Sequence, residues 1–176
     1  MDSIELINLI FLTVILLIAV IYDIRFHRIP NWLTFPSMVT GIAYHTYMKG
    51  TQGFIFSIEG LFLGLAIFMV FYLSAGMGAG DVKLMAAVGG LLGPKGVFMA
   101  FIGTALIGGI YAIILLTLHG HLKETVKRYG AILKMFVFTG KFMYFPPEKR
   151  EKLPLMAYGV AITFGTLLSV LKSYVI

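Results

Sequence analysis

Long stretches almost free of charge decide what this chain can become. Ile4–Tyr22, Phe54–Ala75 and Val97–Leu118 each run for about twenty residues with hardly an ionisable side chain, the length of helix that crosses a hydrocarbon core of about 30 Å. In lipid a backbone must satisfy its own hydrogen bonds, so such stretches are read as helices. Trp32–Met48 is a weaker candidate, interrupted by Pro36, Thr40, His45 and Thr46, with Pro30 and Asn31 as its helix start. Leu155–Leu171 is another. The 176 residues are 59% hydrophobic and only 12% charged, whereas soluble domains run nearer a quarter charged. The first stretch lacks a basic start and a small-residue cleavage site, so it reads as a retained span and not as a signal peptide.

Val82–Gly93 is harder to place, because at 1.5 Å per residue it reaches only about 18 Å. The positions of the lysines and arginines decide whether it crosses. If it does, Arg25, Arg28, Lys83 and the eight basic residues between His119 and Pro154 share one side, eleven of the fourteen in the chain. If it does not, the basic loops fall on opposite sides and the preference for cytoplasmic Lys and Arg is defeated. The expected fold is therefore all-α: one polytopic membrane domain over residues 1–176, with six transmembrane helices, the fourth short, and both termini outside. Residues 119–154 are expected to form a basic cytoplasmic loop, partly amphipathic. Within it, Leu122–Phe145 mixes lysines with large apolar side chains, which suits either an interfacial segment on anionic lipid or an ordinary basic loop. The net charge of +6 follows membrane orientation, and no nucleic-acid partner is expected.

The absence of cysteine excludes disulfides, thiolate metal sites and cysteine nucleophiles. Of the four histidines only His119 and His121 lie close together, and no metal site or other cofactor is expected. Two acids remain. Asp23 directly follows the first span and Asp81 directly precedes the fourth, so the topology brings both to the cytoplasmic boundary. Taken singly, Asp23 could be a solvated loop residue paired with Arg25 or Arg28, and Asp81 a helix N-cap. Asp81, however, ends the run Gly76-Met77-Gly78-Ala79-Gly80-Asp81. Such a loop admits close backbone approach, and it offers N–H groups and space to a substrate strand drawn out of a membrane helix.

Two carboxyls within about 3 Å cannot both ionise comfortably, so one keeps a proton. The carboxylate can then take a proton from a shared water as it attacks a peptide carbonyl, while the protonated partner donates to the leaving group. Neither a metal nor a covalent intermediate is needed.

Tyr22-Asp23-Ile24-Arg25-Phe26-His27-Arg28-Ile29-Pro30-Asn31 and Gly78-Ala79-Gly80-Asp81-Val82-Lys83-Leu84 together resemble the type IV prepilin peptidase family of GxGD aspartyl proteases. The second matches the family's Gly-x-Gly-Asp-x-Lys-Leu signature throughout. Leu153-Pro154-Leu155-Met156-Ala157-Tyr158-Gly159 resembles, more loosely, the start of the family's last span. The resemblance implies a leader peptidase of a prokaryotic cytoplasmic membrane. It would cut prepilins, pseudopilins or preflagellins just after a glycine and before a hydrophobic N-terminal helix, at the cytoplasmic face. It implies Asp23 and Asp81 as the catalytic pair, Gly78 and Gly80 as the loop glycines, and Lys83 as the motif lysine, read here as a snorkelling or orientation charge. Larger members carry a cysteine-rich insertion before the first aspartate and also methylate the new N-terminus. Here 22 residues precede Asp23 and cysteine is absent, so methyl transfer is not expected.

Presenilin-like proteases share the Gly-x-Gly-Asp logic but resemble larger architectures. A small transporter or channel component, with the aspartates binding a cation or relaying protons, is the alternative from another class. A structural assembly protein is a third, although the Gly60/Gly64 pair suits internal helix packing.

Overall fold

The structure, a computed structural model, describes residues 3–73, 77–120, 122–123, 125–127, 130, 134, 138 and 156–175. All regular structure among the described residues is helical. Its elements are α1 (Ser3–Phe26), α2 (Asn31–Leu73), α3 (Ala79–Leu118) and α4 (Tyr158–Val175). The chain divides into two units, one of Met1–Gly108 with Ala157–Ile176, the other of Gly109–Met156. In the second unit Ile110, Ile113, Ile114 and Leu118 are exposed. Most of the expected loop at 119–154 lies outside the described residues.

By length and composition α1, α2 and α3 can each cross a membrane, and α4 carries the shorter apolar helix Tyr158–Lys172. Leu17 and Ile21 of α1, Phe62 and Val70 of α2, and Phe164 and Leu168 of α4 are all more than half exposed. Water would penalise that surface and lipid does not, so the protein is a helical membrane protein.

A straight α2 of 43 residues would be about 65 Å long, twice the hydrocarbon thickness. It is not straight. At Gly50 the backbone leaves the helical region (φ 58°, ψ −137°), a conformation that glycine adopts without a Cβ penalty. Beyond it Gly53 comes back against the His45 backbone, eight positions earlier and about 12 Å away along a continuous helix. The two halves of α2 therefore fold back on each other. Gly41 in one half and Gly60 in the other meet neighbouring residues of α3, Gly90 and Gly89. Gly64 meets both Met85 and Val97, which lie on either side of a second break at Gly93 (φ 72°, ψ −177°), followed by Pro94. That order, glycine just past a helix end and then proline, is a strong stop signal. The Gly60/Gly64 pair serves packing within the chain.

The first half of α3 is the centre of the unit. Leu84, Met85 and Ala86 are wholly buried, and Ala87, Val88 and Leu91 nearly so. A helix apolar on every side belongs in a protein interior, and this one contains the short segment of doubtful length. Its end carbonyls are met by side chains. Ser57 Oγ donates to the Gly90 carbonyl at 2.7 Å and Asn8 Nδ2 to that of Leu91 at 3.1 Å. His45 Nε2 lies 2.9 Å from the same Leu91 oxygen. These partners replace the water that a helix end would otherwise need. Around this core α1 packs on α4 and on α2, with Leu16, Ala19, Phe68 and Ile162 buried between them.

Two helix ends differ from the sequence reading. α1 runs a turn beyond the expected Tyr22, to Phe26, because no breaker occurs before Pro30. α4 runs past the expected Leu171, to Val175, its first turn closed by the Val160 N–H donating to the Ala157 carbonyl at 3.2 Å; the expected start at Leu155 lies outside the described residues.

Candidate active site

Asp23 lies in the last turn of α1 and is 5% exposed. The picture of a solvated loop aspartate paired with Arg25 or Arg28 does not hold: the helix continues past it and turns its side chain inward. Arg25 instead stands over the Phe26 ring, 5.6 Å from its centroid. The helix closes when the His27 N–H donates to the Asp23 carbonyl at 2.8 Å. His27 takes a left-handed φ of 48°, the usual way to leave a helix. That turn sends Ile29 and Pro30 across the end of the bundle, and the Pro30 carbonyl accepts the first N–H bonds of α2, from Leu33 and Thr34.

Asp81 occupies the first turn of α3 and is 7% exposed. Its Oδ2 accepts the Gly78 N–H at 3.1 Å, while its own N–H donates to the Gly78 carbonyl at 3.1 Å. An acid reaching back in this way satisfies an N–H that the helix start leaves open, as the acidic half of a capping box does. The helix-start reading of Asp81 is therefore sound as geometry, and it does not exclude a chemical role.

The structure brings the two acids together. Asp23 lies close enough for its charge to act on Asp81. Asp23 is held much as Asp81 is: its Oδ2 accepts the Gly159 N–H at 2.7 Å in a buried bond. Each carboxyl thus fixes one oxygen on a glycine N–H at the start of a helix, where the dipole favours negative charge. In both cases Oδ1 lies outside that bond. A Cβ at Gly159 would stand 2.8 Å from Asp23 Oδ2, and one at Gly78 would stand 3.3 Å from Asp81 Oδ2. The two candidate loop glycines have different neighbours. Gly78 faces Asp81, whereas Gly80 packs on Ile29, where a Cβ would lie 3.0 Å from Ile29 Cβ and 3.1 Å from its backbone nitrogen.

Where the chain passes from α1 to α2, Tyr22, Phe26, Arg28, Ile29, Pro30 and Asn31 line an open recess of about 440 Å³, which neither acid lines. Trp32 meets the Tyr22 ring edge-on at 5.7 Å, an aromatic pair of the kind that sits at a membrane–water boundary. Among the described residues no three His, Cys, Asp or Glu side chains gather as a metal-holding group. Gly159 was not among the site residues expected from sequence. Its contribution is a backbone N–H, and its only signal was the loose likeness of residues 153–159 to the start of a last span.

Residues 10–113, more than half of the chain and including both acids, match the sequence model of the type IV leader peptidase family. The chain belongs to the type IV leader peptidase family. Two curated proteins of Aeromonas salmonicida, one of them from strain A449, are similar to it, each named prepilin leader peptidase/N-methyltransferase. Each is 27% identical over 128 residues, which is 69% of this chain and 44% of the relative. The chain thus spans less than half the length of those leader peptidase relatives. No solved structure matches it. Gly159 lies beyond the stretch that matches the leader peptidase family.

Proposed function

We propose that this protein is a membrane aspartyl endopeptidase that removes the leader from prepilin-like or preflagellin-like proteins, with Asp23 and Asp81 activating the hydrolytic water. One observation carries the reading: two buried acids, from α1 and α3, lie within electrostatic reach of each other, and each is oriented by a glycine N–H. Family membership supports the substrate class.

The pair shares one proton. Whichever carboxyl is ionised takes a proton from the water as the water oxygen attacks the scissile carbonyl; the other holds that carbonyl with a hydrogen bond and then passes its one proton to the departing amine, so the pair ends with the proton exchanged between its members. With Oδ2 of each acid committed to a backbone donor, the Oδ1 atoms are left to face water and substrate. Gly78 and Gly80 provide the backbone against which the extended substrate segment runs, with the side of Gly80 that meets Ile29 closed to it.

In this reading the chain crosses six times, as α1, the two halves of α2 on either side of Gly50, the two halves of α3 on either side of Gly93, and α4. Eleven of the fourteen lysines and arginines then fall on one side, so the acids open to the cytoplasm at the inner membrane of a prokaryote. The substrate then reaches them through its own hydrophobic N-terminal helix from the bilayer. The proposal covers leader cleavage alone, not the methyl transfer that also stands in the relatives' names.

Co-expression with candidate prepilins, followed by N-terminal sequencing of the products, tests the reading. Cleavage after a glycine at the start of the hydrophobic helix is expected. Ion-dependent flux without proteolysis would favour the transport reading instead.

A further inference from the structure

The motif lysine has no part in the chemistry above, and its surroundings are informative. Lys83 Nζ donates to Asn31 Oδ1 at 2.9 Å in an exposed bond across 52 positions of sequence, and stands 5.3 Å from the centroid of the Phe35 ring. Asn31 opens α2 just after Pro30, and Lys83 lies two residues past Asp81 in the first turn of α3. Between these two helix starts runs the segment that leaves Asp23, and its Ile29, 7% exposed, rests on Gly80 beside Asp81. A lysine serving only orientation or snorkelling would extend to the aqueous boundary as a free point charge. This one is turned onto a neutral amide oxygen, its ammonium steadied by an aromatic face.

We infer that Lys83 is a positioning residue: its bond to Asn31 clasps the start of α2 to the first turn of α3, keeps Ile29 seated on Gly80, and so sets the spacing of Asp23 and Asp81. The contact is short and charge-assisted, and it joins α3, which carries Asp81, to the start of α2, which the chain enters directly after the turn that leaves Asp23. The inference rests on the peptidase reading for its consequence but not for its geometry.

The test uses the whole 176-residue, cysteine-free chain in membranes. Ile29→Cys adds a single thiol at the clasped segment, and its rate of labelling by a small maleimide reports whether that segment stays seated. Asn31→Ala and Lys83→Ala should each speed labelling roughly two- to fivefold, the loss expected for one exposed charge-assisted bond. The double variant should label no faster than either alone, and Asn31→Asp, which keeps an acceptor opposite the ammonium, should restore slow labelling. Asn31→Ala is the decisive variant because it removes no charge and leaves orientation untouched. In the background with Ile29 retained, Asn31→Ala should lower kcat for prepilin cleavage with KM unchanged, and Asn31→Asp should recover most of it.

Unchanged labelling in Asn31→Ala, or effects of the two alanine variants that simply multiply, would overturn the clasp. Labelling needs no catalysis, so it reads the clasp even if the wild-type chain cuts no prepilin. Conversely, a failed clasp leaves the aspartate variants free to decide the peptidase reading.

Discussion

The backbone N–H of Gly159 donates to Asp23 Oδ2 at 2.7 Å, joining the last helix to the first across 136 positions of sequence. This bond orients one acid while the other takes its orientation from its own loop. Gly159→Ala retains the donor but places a methyl group 2.8 Å from that oxygen, so the carboxyl must move. We expect roughly a 10- to 100-fold fall in kcat, measured as prepilin cleavage in isolated membranes, with the protein still inserted.

Asp23→Asn and Asp81→Asn should each reduce cleavage by at least about a thousandfold, and the double variant should be no worse than either, because a pair acting on one water fails as a unit. Membrane insertion should be unaffected. Retained cutting by either single variant would remove that residue from the pair.

Chelators and thiol reagents should leave cleavage unchanged, since the proposed step uses two carboxyls and one water. Activity lost to a chelator and regained with added metal ion would point to a metal-activated water in place of the acid pair.

Gly60→Val should destabilise the fold by about 1–3 kcal/mol, because the Gly60 and Gly89 backbones touch with no room for a side chain. Thermal unfolding in detergent reads this, and a melting point equal to that of the wild type would contradict the packing described.

Replacing both Asn8 and His45 by leucine takes both side-chain partners from the Leu91 carbonyl. A loss of about 1–3 kcal/mol is expected, again from unfolding in detergent, with Asn8→Leu alone costing less because His45 remains.

Much of this architecture is legible in the residues themselves. The near-absence of charge from Ile4 to Tyr22 and from Val97 to Leu118 announces membrane helices, and the break at Gly93-Pro94 is written as glycine followed by proline. The reach of Val82–Gly93 seemed too short for a bilayer because length was judged against lipid. Its side chains meet protein on every side, so that standard does not apply to it. Asp23 and Asp81 stood out because acids are rare in such a chain, whereas Gly159 acts through an N–H that nearly every residue possesses. The partner of Lys83 was equally unreadable, since nothing local links it to Asn31, and the end of α1 was misjudged because charged residues such as Asp23 and Arg25 can continue a helix beyond its uncharged run.

The bond from Gly159 also sets an order of events during synthesis. A ribosome that has made both acids and inserted the first three helices has still not made the donor that orients Asp23. If the two acids act as proposed, a nascent chain at that stage would hold both of them with Asp23 still unoriented, and the pair would reach its working geometry only once α4 has docked.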